Sequence, residues 1–413
     1  MKKALTVGVA AIGCALGLSG QSSAQEIDIW TISYSSDAQR NALAAAEKEF
    51  EAQNPGTDIK ITMRGTDEHK TALRVAAGSD SGPDIFFSWA GRGLGGEYVL
   101  AGLSRDLTDY YDEYKFEDRL SGPSLAFTES FAEGKHGVPF RFSGEAVYYD
   151  KSLWEKAGIT EEPTTYDELV AVAAKLKEAG IPAFTFGGTV NWHLMRLMDN
   201  ILESKCGAET HDALMEMDAD WATTPCAEES FKELAMWAQN YILSPFMGID
   251  QKQSVGLFIG KRAAMMLEGD WLVNQLGESV DLAGYGVFPF PNDSGRLYGF
   301  AEYLYVSSKT DKADLAGKFL DMFTSTAFQE EIKGSFGALS VNTEVKLGDD
   351  VDPLYKEWLT IFDEATGTFV NGDQAFPLDV TTEYFRVINQ VATGDMSPEE
   401  ADDAMAQFIS YRG

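Results

Sequence analysis

The chain has 413 residues, of which 44% are hydrophobic, and a formal net charge of −32. Single hydrophobic cores stop growing near ~250–300 residues, so a chain of this length is expected to form two substantial lobes. The strong negative charge argues against nucleic acid and anionic lipid as partners, because both are polyanions.

Residues 1–24 have the layout of a cleavable secretory signal. Lys2 and Lys3 precede an apolar run, and small residues end the segment at Ala24. The apolar run is shorter than the roughly 18–20 residues that span a bilayer, and no later stretch reaches that length. The sequence therefore predicts a periplasmic, soluble protein whose mature chain begins at Gln25. Processing as a lipoprotein at Cys14 is the alternative.

The first part of the mature chain alternates between strand and helix patterns. Predicted strands lie at 26–32, 57–65 and 83–90, and predicted helices at 40–53 and 69–79. Such alternation predicts a parallel sheet with right-handed crossovers. Ligands of these sheets bind beyond the carboxyl ends of the strands. The loops of interest are therefore 33–39, 66–69 and 89–96.

A second α/β series follows. The most explicit helix signal is Thr165, an expected N-cap followed three residues later by Glu168, with the helix ending at Gly180. The other predicted helices cover 192–202 and 228–243, and the predicted strands cover 181–188, 261–271, 285–291 and 296–310.

Two cysteines, Cys206 and Cys226, remain in the predicted mature chain. An oxidising compartment favours a disulfide between them, and two free thiols are the alternative. Four histidines are scattered without the spacing of metal ligands, so no metal site is expected.

Five blocks of sequence together carry a family resemblance. They are PDIFFSWAGRGLGG, KHGVPFRFSGEAVYYDKSLWEKAGI, EPTTYDELVAVAAKLKEAG, FIGKRAAMMLEGDW and KFLDMFTSTAFQEE. Their order resembles the family-1 extracellular solute-binding proteins of bacterial ABC importers, the maltose-binding-protein-like group, across nearly the whole mature chain.

The resemblance implies an α/β fold of two hinged lobes, the class II type of periplasmic binding protein, each lobe a mostly parallel sheet flanked by helices. The expected N-terminal lobe comprises 25–135 and about 292–335, and the C-terminal lobe 136–291 and about 336–413. Crossings between the lobes are expected near 135–137, 290–294 and 334–341. The resemblance further implies a monomer without cofactor, whose partner is a membrane permease driven by a cytoplasmic ATPase.

Three tryptophans are candidates for sugar contact. A pyranose has apolar C–H faces and a rim of hydroxyl groups, so its site needs flat aromatic surfaces and hydrogen-bonding side chains. Trp89, Trp192 and Trp271 each follow a predicted strand, where the resemblance implies aromatic ligand contacts. Core packing is the alternative for each. The remaining five tryptophans lie within predicted elements and are interpreted as structural.

Polar candidates surround these tryptophans in the sequence. They are Tyr34, Ser35, Gln39, Asp67, Arg92, Arg141, Ser143, Asp270 and Glu302. A solvated surface position or an ordinary ion pair is the alternative for each. Glu302 departs from the glycine or apolar residue that many relatives carry, and Arg141 leaves an anionic sugar as a possible ligand.

Three patterns typical of enzymes receive other interpretations. Gly91–Gly96 matches GxGxxG but does not open a domain, so a tight turn that lets the chain approach a ligand is favoured. Asp293-Ser294-Gly295 lies in a turn without a supporting hydrolase motif. Glu268 and Asp270 could form a glycosidase pair, but sugar receptors use the same residue types as hydrogen-bond acceptors.

The sequence thus favours a receptor that captures a sugar by lobe closure and performs no covalent chemistry. Trp271 and Trp192 would lie on one lobe, and Trp89 and Tyr34 on the other. An acidic or sulfonated sugar, a polyol, a glycerol-phosphate compound and, less favoured, a polyamine are alternative ligands. A secreted glycoside-active enzyme is the alternative of a different class.

Overall fold

The computed structural model describes residues 25–79, 81–348 and 351–412, so the predicted signal at 1–24, with Cys14, lies outside the described residues. The strands are β1 (Gln25–Ile32), β2 (Thr57–Arg64), β3 (Ile85–Trp89), β4 (Val138–Asp150), β5 (Met265–Gly269), β6 (Tyr285–Phe288), β7 (Leu297–Val306) and β8 (Thr368–Phe369). The helices are α1 (Asp37–Gln53), α2 (Thr66–Ala77), α3 (Gly95–Leu100), α4 (Thr108–Tyr114), α5 (Phe116–Arg119), α6 (Gly122–Leu125), α7 (Lys151–Lys156), α8 (Tyr166–Glu178), α9 (Asn191–Met215), α10 (Pro225–Asn240), α11 (Gln251–Ile259), α12 (Leu272–Gly277), α13 (Ala313–Thr324), α14 (Thr326–Glu331), α15 (Pro353–Glu364), α16 (Gly372–Ala375), α17 (Leu378–Thr393) and α18 (Pro398–Ser410).

The first hydrophobic core forms around the parallel strands β2, β1 and β3. Ile27 of β1 and Ile85 of β3 are completely buried in it. Alternating burial along β1 matches the apolar pattern of its sequence, as expected for a strand with one face on the core. Helix α1 covers this core, and its Phe50 meets Phe319 of α13 edge to face at 5.5 Å. The chain therefore returns to the first core after residue 300.

The second core is mainly helical and is built by α8, α9, α10, α17 and α18. Its largest buried side chains include Trp221 and Trp237. Helix α8 begins at the predicted N-cap, where Thr165 and Glu168 form a complete capping box, and Gly180 follows its end with φ at 73°. The capping box and the terminal glycine depend only on residues close together in the sequence, so the sequence alone predicted them.

One long strand, β4, runs through both cores, and β7 pairs with it. The strand order is β2-β1-β3-β7-β4-β5, with β6 on β4 and β8 on β7, and β7 is antiparallel to both β3 and β4. Phe140 of β4 packs in the first core and Val147 in the second, so the chain crosses between the cores inside β4 rather than at 135–137. The sheet is consequently mixed, whereas the sequence predicted mostly parallel pairing in each lobe.

The predicted strand at 181–188 is reduced to isolated pairing at Phe184, which bridges Ile242 and Met265 in parallel. Pro182 has no N–H for a sheet ladder. Gly187 donates its N–H to Nδ1 of His193 at 2.8 Å, which turns the chain towards α9. Helix α9 extends beyond its predicted end and is interrupted at Gly207, where φ is 71°.

A disulfide joins Cys206 of α9 to Cys226 of α10, with the two Cα atoms 5.2 Å apart, and confirms the predicted pairing. Within the described residues, no group of three or more His, Cys, Asp or Glu side chains is placed to hold a metal ion. In that same part of the chain, every helix is too short or too polar to cross a bilayer.

Candidate functional site

A cavity of about 160 Å³ lies between the two cores, beyond the carboxyl ends of β1 and β3. Parallel strands that end at one edge bring their following loops together there, as the sequence predicted. Of the candidate residues, the structure brings to this cavity Tyr34, Ser35, Gln39, Trp89, Arg141, Trp192, Trp271 and Glu302.

Four candidate residues do not line this cavity. Asp67 is exposed in the first turn of α2 and borders a neighbouring cavity. Arg92 is also exposed. Ser143 and Asp270 are completely buried, and Asp270 contacts the guanidinium group of Arg141 from the protein side.

The three candidate tryptophans share one arrangement, since each is partly buried and each lies beside a cation. Lys70 Nζ lies 5.1 Å from the ring centre of Trp89, and Arg196 Cζ lies 4.4 Å from that of Trp192. Trp271 lies between two guanidinium groups, those of Arg141 at 5.2 Å and Arg196 at 5.3 Å. Cation–π contacts hold these rings in place and leave them partly open to the cavity.

Four of the five remaining tryptophans, Trp154, Trp221, Trp237 and Trp358, are buried in the cores. Trp30 is partly buried on β1 beneath the guanidinium group of Arg64, at 4.1 Å. None of these five lines either of the two cavities between the cores. This distribution agrees with their interpretation as structural residues.

Arg141 forms one buried ion cluster. Its Nη2 donates to Oδ1 of Asp270 at 3.1 Å, and its Nη1 donates to Oε2 of Glu302 at 3.4 Å. Burial raises the pKa of both carboxyl groups, while the two carboxylates hold the pKa of Arg141 above its usual value against the effect of burial. The charge of Arg141 is therefore already compensated by the protein.

Arg196 forms a second cluster, which the sequence analysis missed. Its Nε donates to Oε1 of Glu145 at 2.9 Å, and its Nη1 donates to Glu268, which also accepts from Gln251. Burial raises the pKa of Glu145 to about 8, an effect that Arg196 opposes. The one available sequence signal was an arginine four residues after Trp192 in the apolar run HLMRLM, which places both on one helix face.

The residues of the enzyme-like patterns are bonded to other groups of the protein. Glu268 is bonded to Arg196 and Asp270 to Arg141, so each carboxylate belongs to a different ion cluster. Asp270 also accepts the N–H of Ala338 at 2.9 Å. The Ser294 hydroxyl donates to Oδ1 of Asn292 at 2.7 Å within its turn.

The glycine-rich loop approaches protein rather than ligand, contrary to the sequence interpretation. A Cβ atom on Gly91 would lie 2.6 Å from Cα of Gln374, and one on Gly93 would collide with the Phe376 carbonyl oxygen. Arg92 donates its N–H to the Gln374 carbonyl at 2.5 Å, and Gln374 Nε2 donates to the Ala90 carbonyl at 2.5 Å. We name this contact between 90–93 and 373–376 the clasp.

A second cavity, of about 420 Å³, continues from the first past Trp192. It lies between α2 and α17 and shares Lys70, Leu94, Trp192 and Asp373 with the first cavity. Lys70 Nζ and Asp373 Oδ2 are 3.6 Å apart at this junction. The sequence offered no signal for Asp373 or Gln374, because they come from a short helix far along the chain.

A sequence profile of the bacterial extracellular solute-binding protein family matches residues 33–330, and the chain belongs to this family. It is 25% identical over 369 residues to a protein of Mesorhizobium japonicum described as a "probable sugar-binding periplasmic protein", covering 85% of each chain. It is 26% identical over 288 residues to the maltotriose-binding protein of Pyrococcus abyssi, covering 67% of this chain and 58% of the relative.

Among solved structures, a chitin oligosaccharide binding protein matches with a TM-score of 0.85 at 22% identity, covering 94% of this chain and 98% of that one. The chain thus has the two-lobe α/β fold of periplasmic binding proteins, and the fold class read from the sequence is confirmed.

Proposed function

We propose that this protein is the periplasmic substrate-binding protein of an ABC importer, which captures a mono- or oligosaccharide between its lobes and performs no covalent chemistry. The observation that carries the proposal is the cavity between the cores, lined by Trp89, Trp192 and Trp271 and by charged side chains already held in ion pairs. Such a site offers flat apolar surfaces to sugar faces and fixed polar groups to hydroxyls.

The proposed N-terminal lobe comprises 25–135 with about 292–335, and the proposed C-terminal lobe comprises 136–291 with about 336–413, except that the start of β4 packs in the first core before the chain crosses. Packing of α1 against α13 supports the return of the chain to the first lobe. Burial of α17 and α18 against α10 supports the assignment of the C-terminal segment to the second lobe. Strand β4, which passes through both cores, and β7, which pairs with it, would carry the hinge.

Binding would proceed by lobe closure. A sugar stacks on Trp192 and Trp271 of the second lobe, and Trp89, Tyr34 and Gln39 of the first lobe complete the site. The ligand shifts the population towards the closed form only by the difference between its affinities for the two forms. Contacts to both lobes at once provide that difference.

The ion clusters favour neutral sugars over anionic sugars as ligands. Because Asp270 and Glu302 already compensate Arg141, a ligand carboxylate or sulfonate would compete with two buried acceptors for it. This argues against the acidic and sulfonated sugars that Arg141 left open. The second cavity adds room beyond one sugar ring, which supports an oligosaccharide.

The partner in this proposal is a membrane permease with its cytoplasmic ATPase, to which the closed, monomeric receptor delivers sugar. The support is membership of the solute-binding family together with relatives described as sugar-binding periplasmic proteins. Export through the predicted signal at 1–24 would place the receptor in the periplasm.

A thermal-shift screen of the purified protein against neutral sugars, acidic sugars, polyols, amino sugars and polyamines tests the proposal. A ligand that binds only the folded form stabilises it by RT ln(1 + [L]/Kd), about 2.7 kcal/mol at a concentration of 100 Kd. We expect a concentration-dependent rise in Tm with a sugar. A rise only with compounds that contain no sugar, or cleavage of an oligosaccharide during the incubation, would contradict the proposal.

A further inference from the structure

Acidic groups outnumber basic groups around the first cavity. Three cations take part in its ion pairs, Lys70, Arg141 and Arg196. Six buried carboxyl groups surround them, those of Glu145, Asp199, Glu268, Asp270, Glu302 and Asp373. Buried charges of one sign are costly without compensation, so this excess needs either protons or a positively charged ligand.

The excess has a specific location beside Glu145. Arg141 is shared between Asp270 and Glu302, and Arg196 is shared between Glu268 and Glu145, whose Oε1 it contacts at 2.9 Å. Lys70 faces Asp373 at 3.6 Å. Asp199 accepts from the Gly372 N–H at 3.0 Å and from the Tyr384 hydroxyl at 2.7 Å. Because Arg196 supplies one positive charge for two carboxylates, Glu145 and Glu268, an excess of negative charge remains there, and of these two carboxylates Glu145 lines the cavity.

Glu145 also has a buried carboxylate oxygen without a hydrogen-bond partner. Only 1% of Glu145 is exposed, it lines the cavity, and its Oε2 has no hydrogen-bond partner in the structure. Oε1 of Gln374, in a side chain that is likewise 1% exposed, is a second unpartnered acceptor in a residue that lines the cavity. An ammonium group, with three N–H donors, would satisfy acceptors of this kind.

We propose that the sugar captured here carries a free amine, and that its ammonium group binds between Glu145 and Asp373. This proposal rests on the proposed function, since it names the substrate class of the same cavity. The tryptophans stack on the sugar ring, and their electron-rich faces favour a cation near them. N-acetylation of the amine removes the charge and with it this interaction.

Proton release should accompany the binding of the amine. Burial raises the pKa of Glu145 to about 8, and Asp373, Asp199 and Asp270 reinforce the rise while Arg196 opposes it. The charged or titratable groups facing Glu145 are Arg196 and Asp199 of α9, Glu268 of β5, Asp270, Tyr298 of β7 and Asp373 of α16. At pH 7 the carboxyl is largely protonated, and an arriving ammonium expels the proton because it favours the carboxylate.

The test compares sugars that differ only in the amine, by isothermal titration calorimetry at pH 7. The pairs are glucosamine with glucose, galactosamine with galactose, and glucosamine oligomers with their N-acetylated forms. Titrations in two buffers of different ionisation enthalpy report the protons released. We expect the amine in at least one pair to bind about tenfold or more tightly than its neutral partner, with net proton release.

Matched variants locate the amine. Glu145→Gln keeps size and removes the charge, so it should abolish proton release and reduce the preference for the amine about tenfold or more. Asp373→Asn serves as a second variant and should reduce the same preference. Glu161→Gln, at an exposed position away from both cavities, should change neither quantity. Equal Tm values would show that the variants fold.

The outcomes separate the two proposals. Neutral sugars that bind as tightly as their amino partners, or an amine preference that survives in Glu145→Gln, would overturn the amino-sugar assignment and leave the sugar receptor standing. Binding of a polyamine in place of every sugar, or of no sugar at all, would overturn the proposed function and the assignment with it.

Discussion

Trp271 shows how single residues are positioned at this site. Its ring lies over the bare backbone of Gly269, where a Cβ atom would collide with it, and beside the guanidinium groups of Arg141 and Arg196. These contacts hold the ring in place before any ligand arrives. Preorganisation of this kind reduces the entropy that binding must otherwise overcome.

Replacing the Trp271 side chain should therefore affect binding more than folding. We expect Trp271→Ala to weaken sugar binding by at least about tenfold, ~1.4 kcal/mol, because a stacking surface is lost. Titration calorimetry measures the change. Trp30→Ala removes a ring of the same type and partial burial outside the cavity, and should leave affinity unchanged. Unchanged affinity in Trp271→Ala would remove this ring from the site.

Asp212 links the fold to acid stability. Partial burial alone would raise its pKa, but hydrogen bonds from His211 and Arg296 lower it to about 2. The pKa of an unfolded Asp is about 3.9, so the ionised form stabilises the fold above that pH and its contribution disappears as the pH falls towards 2.

Urea unfolding of Asp212→Asn tests this linkage. The variant should be less stable than wild type at pH 6, and the difference should shrink as the pH falls from about 4 to 2. Asp311→Asn, at an exposed position outside the Arg296 network, should show no such pH-dependent difference. A difference that is constant with pH would refute the linkage.

At the scale of elements, the sequence predicted secondary structure well where the signal lies in residues close together in the chain, and poorly where it depends on contacts between residues far apart. Helix α8 was predicted well because Thr165 and Glu168 are local neighbours that form a capping box. Strand β4 was not predicted, because Arg141 and Gly144 interrupt its apolar pattern. In the structure Arg141 is paired with distant carboxylates, and a sequence pattern carries no information about such partners.

The same distinction applies to the candidate site. Trp89, Trp192 and Trp271 could be predicted from their places after strand patterns, and all three line the cavity. Lys70 and Asp373 could not, because their pairing joins α2 to a short helix some 300 residues later. Contacts that form only through tertiary packing cannot be predicted without knowledge of the fold.

The disulfide stabilises the connection between α9 and α10 near the interruption at Gly207. Its cysteines are 20 residues apart, and closing a loop of this size in the unfolded chain is worth about 3 kcal/mol in the chain-entropy model. The double variant Cys206→Ala, Cys226→Ala should lose roughly 2–4 kcal/mol in urea unfolding. Reductant should destabilise wild type similarly and leave the variant unaffected. Sugar affinity should be retained, since neither cysteine lines a cavity.

For the whole molecule, the clasp matters because it forms without ligand between 90–93 and 373–376, which lie on different lobes of the proposed receptor. Its hydrogen bonds would stabilise the closed form of that receptor whether or not the cavity is filled. We expect Gln374→Ala to disfavour closure by about 1 kcal/mol, roughly a fivefold change in the ratio of closed to open forms.

Small-angle X-ray scattering of the ligand-free protein measures this effect directly. The radius of gyration of Gln374→Ala should exceed that of wild type, whereas Gln407→Ala, at an exposed position on α18, should match wild type. Because no ligand is present, lost ligand contacts cannot explain a difference. An unchanged radius would show that the clasp does not influence closure.

The pairing of β4 with β7 has a mechanical consequence. Two adjacent hydrogen-bonded strands form a ribbon, and the register shift between Pro139 and Arg141 marks a bulge where such a ribbon bends most readily. A ribbon is compliant to bending out of its plane and stiff to shear within it. Opening of the proposed receptor would then be mainly a rotation about an axis near this bulge, which would separate the tryptophan faces and bring them together again.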